Sequence, residues 1–157
     1  MRMTRLRDLV LALLLTVSCA GGAWAMASGK RGSAANPAFD AGVQALADGK
    51  WDLAVMKMTA VVQSEAKNAD AHNYLGYAYR KLGNLDKAFE HYTIALQINP
   101  EHRGAHEYIG EAYLMAGRLA QAEEHLKRLD ALCTFGCDEF YALKESVAAY
   151  RAKNPGG

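Results

Sequence analysis

The chain has 157 residues, 51% of them hydrophobic and 22% charged, with a formal net charge of +1. So near-neutral a balance gives no electrostatic drive toward phosphate backbones or anionic lipid surfaces, which argues against nucleic acid as a partner. Loss of the basic N-terminal segment would change the net charge only to −1, because Arg2, Arg5, Arg7 and Asp8 leave together.

That segment is the first predicted element. Arg2, Arg5 and Arg7 precede an apolar run, Leu9 to Val17, and Ala23-Trp24-Ala25 offers a small-residue cleavage site, the three parts of an export signal. Residues 1–25 are read as a signal peptide, and the mature chain is expected in the periplasm or outside the cell. Two alternatives stand beside this. Uncharged residues continue to Ala27, approaching the length of an uncleaved anchor, although the second half is small and glycine-rich. Thr16-Val17-Ser18-Cys19 resembles a bacterial lipobox with Thr16 where Leu is preferred; cleavage before Cys19 would make a lipoprotein, the one case in which a membrane becomes a partner. Residues 26–35, rich in Gly, Ser and Ala, read as a flexible leader.

A helical domain is expected over 36–152. Asn36 offers an N-cap with Pro37 at the first helical position, and that helix runs to about Asp48. Gly49 ends it. Trp51 to Glu65 follow, with Trp51, Ala54, Val55, Met58, Val61 and Val62 at the three- and four-residue spacing of one buried face. Ala69 to Leu82, a turn at Gly83, and Leu85 to Ile98 repeat the plan until Asn99-Pro100 stops it. About Arg103 to Ala116, a turn at Gly117, and Leu119 to Ala131 make a third pair. Asp138 is expected to cap a last helix, Glu139 to about Ala152, with Phe140, Leu143, Val147 and Tyr150 on one stripe.

Gly42, Gly76 and Gly110 stand 34 residues apart, as do Gly49, Gly83 and Gly117, and Ala54, Ala88 and Ala122. This interval marks one helix-turn-helix unit stacked three times, over about 35–68, 69–102 and 103–136, with residues 138–152 as a cover for the last. Unit two, with Leu75-Gly76, Tyr79, Gly83, Ala88, Tyr92, Ala95 and Pro100, resembles the tetratricopeptide repeat family; only His72 departs from the pattern. Unit three keeps Ile109-Gly110, Tyr113, Gly117 and Ala122, and unit one is the weakest match. The run Leu132 to Phe140 also resembles the tail of small exported repeat proteins of proteobacteria. The resemblance implies an all-α, right-handed superhelix of three hairpins plus a C-terminal capping helix.

It also implies a concave groove lined by the first helix of each unit: Phe39, Val43 and Leu46; Asp70, Asn73, Tyr77 and Arg80; Glu107, Glu111 and Leu114. Asp70, Asn73, Tyr77, Arg80, Glu107 and Glu111 are the candidate partner-binding residues, with Tyr77 and Arg80 read as exposed anchors at the groove centre. Chaperone-binding members of the family clamp a terminal carboxylate with Lys, Asn and Arg, and Phe39 and Val43 stand here in place of the first Lys and Asn, so that specific role is not supported.

Once Cys19 is removed, Cys133 and Cys137 are the only cysteines, and an even count in an oxidising compartment reads as a disulfide. A structural staple, a redox-active pair and a pair of metal ligands remain the three readings. His102 and His106, spaced i, i+4, would put two imidazoles on one side of a helix, too few for a metal site alone. His72 and His106 occupy equivalent repeat positions and are read as packing residues. No nucleophile with a spaced base and no phosphate loop is present. The expectation is a non-enzymatic adaptor in the bacterial cell envelope, without cofactor, metal or small-molecule substrate, that binds a protein or peptide. A thiol-disulfide or metal-handling accessory and an outer-membrane lipoprotein assembly factor are the alternatives.

Overall fold

The computed structural model describes residues 36–155, within the second of two units into which the chain divides, Met1–Gly32 and Ser33–Gly157. The expected signal peptide and leader, and Cys19, lie outside the described residues. Seven helices follow in order: α1 (Pro37–Ala47), α2 (Trp51–Ser64), α3 (Ala69–Lys81), α4 (Leu85–Ile98), α5 (Arg103–Met115), α6 (Leu119–Leu132) and α7 (Asp138–Lys153). Among the described residues there is no strand, and no helix is long and apolar enough to cross a membrane.

The helix ends follow from side chains that satisfy free backbone groups. Asn36 Oδ1 accepts from the amides of Ala38 and Phe39, and Asn68 and Asn84 cap α3 and α4 in the same way. The carboxylate of Glu65 accepts from both the Asn36 and Asn68 amides, at 2.6 and 2.8 Å, and so fastens the starts of α1 and α3 to the end of α2. These two hydrogen bonds, that from Asn68 first, hold its pKa below the usual value. Gly49, Gly83 and Gly117 turn each hairpin at φ of 69°, 78° and 73°, a left-handed backbone that other residues adopt only at a cost.

Asp138 does not cap α7. Cys137 holds the N-cap position in extended backbone (φ −151°, ψ 161°), with no side-chain capping bond, and Asp138 is the first helical residue. The helix thus begins one residue earlier than the capping pattern suggests, next to the close approach of Cys133 and Cys137. An acid in the first turn still complements the helix dipole.

The three hairpins stack as a right-handed superhelix, and the packing shows how it curves. Helices α1, α3, α5 and α7 each touch the next in that series, whereas α2, α4 and α6 do not touch one another. The first helices therefore form a continuous inner layer and the second helices fan out behind it. Gly76 lies under the fully buried Tyr92 ring of α4, which also packs on Ile109 and Ala112 of α5. One ring thus closes its own hairpin and joins it to the next. Gly110 faces Leu143 of α7 instead of a residue of its hairpin partner α6. Its smallness lets the capping helix approach, and Leu143 and Val147 complete a core with Leu114, Ala122 and Leu129.

Candidate functional site

The inner layer places Asp70, Asn73, Tyr77 and Arg80 along one face of α3, three or four residues apart, opposite Glu107, Tyr108 and Glu111 of α5. Arg80 is the centre of this face but is not an exposed anchor, as the sequence suggested: it is only 8% exposed. Its guanidinium reaches Glu111 Oε2 at 2.6 Å and lies over the rings of Tyr77 (5.2 Å) and Tyr108 (5.6 Å). Burial works against its charge, but Tyr92 and Glu111 outweigh it and the pKa is raised. Tyr77 is half-buried, its ring edge-on to Trp51 at 5.9 Å and tilted against Tyr108 at 4.9 Å. Asn73 is buried, its amide against the first turn of α5 near Gly104.

Glu107 is the unusual acid of the site. It is half-buried and, among the described residues, makes no ion pair or side-chain hydrogen bond. Burial first, then the neighbouring charges of Glu111 and Glu139, push its pKa up to about 7. Arg80 pulls it down but is already committed to Glu111. Tyr108, beside it, is raised to about 12 by burial and by Glu107. Asp70 turns outward to His102, Oδ1 to Nε2 at 3.0 Å, a hydrogen bond that lowers its pKa.

At the C-terminal end of these helices the face opens into a cleft of about 470 Å³ lined by Arg80, Lys81, Glu111, Met115, Tyr150 and Lys153, among others. Only the three first-position helices α3, α5 and α7 contribute to it. Leu114 forms part of its wall and part of the core beneath, while Phe39 and Leu46 pack into the α1 to α3 core, leaving Val43 the most open of the unit-one residues. Sequence reasoning missed Tyr108, Trp51, Lys81 and Lys153. Tyr108 carried a usable signal, because Tyr74 stands 34 residues before it.

His102 and His106 do not share a side. His102 is the N-cap of α5, accepting from the Ala105 amide, and faces Asp70, whereas His106 is buried against His125. No group of three or more metal-ligating side chains occurs among the described residues. Cys133 and Cys137 bring their sulfurs within bonding distance, 2.07 Å, with Cα atoms 5.6 Å apart. The loop they close presents Phe135 almost fully to solvent, 96% exposed, far from the α3 and α5 face in sequence.

Two tetratricopeptide repeat models match the chain, over residues 69–102 and 90–136. Residues 69–136 of the chain are tetratricopeptide repeats. Residues 36–68 lie outside both matches, and there the structure shows the same hairpin. Solved structures share the repeat fold at low identity. The translocator chaperone SycD of the Yersinia enterocolitica type III secretion system has a TM-score of 0.68 at 17% identity, covering 75% of this chain and 83% of that one. The TPR2B domain of yeast Sti1, in complex with pHsp70, has 0.68 at 18%, covering 74% and 95%. PcrH, bound to the chaperone-binding region of PopD, has 0.64 at 21%, covering 73% and 86%. No curated protein sequence matches the chain. At these identities the repeat structures establish the fold alone.

Proposed function

We propose that this repeat protein is a non-enzymatic adaptor of the bacterial cell envelope, holding a peptide or a partner's helix on the inner face of α3, α5 and α7. The observation that carries it is the cleft at the end of that face, built only from first-position helices and walled by aromatic, apolar and charged groups together. Such mixed walls suit recognition of another chain. Sti1, PcrH and SycD are each solved with a protein or peptide partner, which supports the same use of the fold here. The rings of Tyr77 and Tyr108 and the committed Arg80–Glu111 pair give the face a fixed shape before anything binds, which lowers the ordering cost of association.

Affinity measurements test this. A partner captured from envelope extract is titrated against wild type, Tyr77→Ala, Lys81→Glu and a Cys133→Ser, Cys137→Ser double variant, each shown by circular dichroism to be folded. Loss of about tenfold or more in affinity for the Tyr77 and Lys81 variants, with the double variant unchanged, is the expected result. The reverse pattern would transfer the function to the cysteines.

Location rests on Arg2, Arg5, Arg7, the apolar run and Ala23-Trp24-Ala25. The processed protein is expected to begin at or near Met26, read by intact mass. A species starting at Cys19 with added acyl mass would make it an anchored lipoprotein instead.

A further inference from the structure

Four of the five histidines form two pairs that repeat with the 34-residue period: His72 with His91, and His106 with His125. In each, the first-helix histidine is buried, 7% exposed, and its second-helix partner is half-buried. The Nδ1 atoms face each other at 3.2 Å and 2.9 Å. The opposite nitrogen of the first-helix ring, Nε2, meets a backbone carbonyl of the preceding turn, Ala66 at 3.3 Å and Pro100 at 3.0 Å. Tyr79 stacks on His91 and Tyr113 on His125, with ring planes 4° and 17° apart. Unit one has Ala38 and Lys57 at the equivalent positions and lacks the arrangement.

The chemistry fixes the protons. A carbonyl oxygen only accepts, so Nε2 of His72 and His106 carries hydrogen and, in the neutral ring, their Nδ1 is an acceptor. His91 and His125 must then donate from Nδ1, which leaves their own Nε2 free of any protein partner among the described residues. Each pair therefore joins three segments: the first helix, the second helix, and the turn from the preceding repeat. A first added proton enters at the free Nε2 of His91 or His125 and disturbs neither bond. A second has only Nδ1 of His72 or His106 to occupy, where two N–H groups would point at each other across about the length of a hydrogen bond, both rings charged.

We propose that the two histidine pairs are proton-gated clamps, which hold hairpins two and three closed and joined to the preceding turn with up to one added proton and release when a second arrives. Because α3 and α5 are the helices clamped, release loosens the inner face itself. The surroundings oppose charge on His91, His106 and His125. Burial and the partner ring lower the pKa of His125 to about 4; burial and then His72 lower that of His91, opposed by Glu90, with Lys87 adding the smallest push downward. Burial lowers that of His106, helped by Arg128 and His102 and opposed by the bond to Pro100. Lys87 from α4 also lies over the Tyr79 ring that stacks on His91. With folded values below the ordinary 6.5, the unfolded chain binds more protons, so the stability these rings confer is present above about pH 6.5 and is lost as pH falls toward 4.

Nitrogen NMR of the histidine rings in the processed wild-type protein tests the clamp directly. At about pH 8 it should show hydrogen on Nε2 of His72 and His106 and on Nδ1 of His91 and His125; Nε2–H at the latter two would overturn the proposal. The second arm is denaturation across pH. From about pH 7 to about pH 4 the wild-type folding constant should fall about tenfold or more, and His91→Gln, His125→Gln, whose amides still donate to Nδ1 without titrating, should flatten that fall. A double variant that parallels wild type would overturn it. Should the variant not fold, the wild-type titration decides: Nδ1 of His72 and His106 must gain a proton in the same interval in which stability drops, and uptake with the fold intact would refute the clamp.

Discussion

Arg80 sets the energetics of the inner face, because a guanidinium so nearly sealed from water is tolerable only while Glu111 and the two tyrosine rings answer its charge. Arg80→Ala removes those contacts, leaves Glu111 without a cation beside the already unpaired Glu107, and opens a hole under Tyr92. We expect it to cost about 2 kcal/mol or more, toward the lower end for buried pairs because Glu111 keeps some contact with water. Urea denaturation measures this, and an unchanged midpoint would mean that the pair is not formed in solution. The same reasoning governs binding experiments: Arg80 variants weaken the scaffold, so Tyr77 and Lys81 are the cleaner probes. The sequence could not reveal any of this. An arginine three residues from a tyrosine on a first helix reads as an exposed anchor, and its partner lies 31 positions away on the next hairpin, a separation that no helical periodicity encodes.

At the scale of the helices, much was legible, and for identifiable reasons. Helix α4 spans Leu85–Ile98 as its pattern predicts, because Asn84 caps one end and Asn99-Pro100 blocks the other. At the start of α7, where Cys133 and Cys137 come together, the capping pattern placed the first helical residue one position too late. The 34-residue register located the close helix approaches but not what fills them, and the fillers decide the cost of change. A Cβ on Gly76 would fall 2.6 Å from the Tyr92 ring, whereas one on Gly42 would meet the end of the Met58 side chain at the same distance. A rigid ring wedged between two hairpins has nowhere to go; an unbranched thioether turns aside. Gly76→Ala is therefore expected to destabilise by about 1–3 kcal/mol and Gly42→Ala by well under 1 kcal/mol, less whatever each gains from alanine's higher helix propensity. Thermal denaturation of the two variants side by side checks the order, and equal losses would mean that the helices move apart as freely in hairpin two as in hairpin one.

Over the whole stack, the ionisable groups buried between hairpins pull stability in opposite directions with pH. The histidine pairs favour the folded state above the ordinary imidazole range, as argued above. Glu107 acts the other way. Its folded pKa of about 7 lies above the usual 4.5, so the native protein retains a proton that the unfolded chain releases. Its contribution is thus fully present below about pH 4.5 and declines as pH rises through 7, where the fold must hold an unpaired carboxylate. Glu107→Gln keeps the shape and abolishes the titration. The variant is expected to match wild type at about pH 4.5 and to exceed its denaturation midpoint at about pH 8, with the difference appearing between those values. A partner that placed an ammonium or guanidinium against Glu107 would erase the difference at high pH by answering the charge, so the same comparison with and without a bound partner reports whether this carboxylate is engaged. If Glu107→Gln is no more stable than wild type at about pH 8 in the free protein, the acid is better solvated than its half-buried position between α3 and α7 implies.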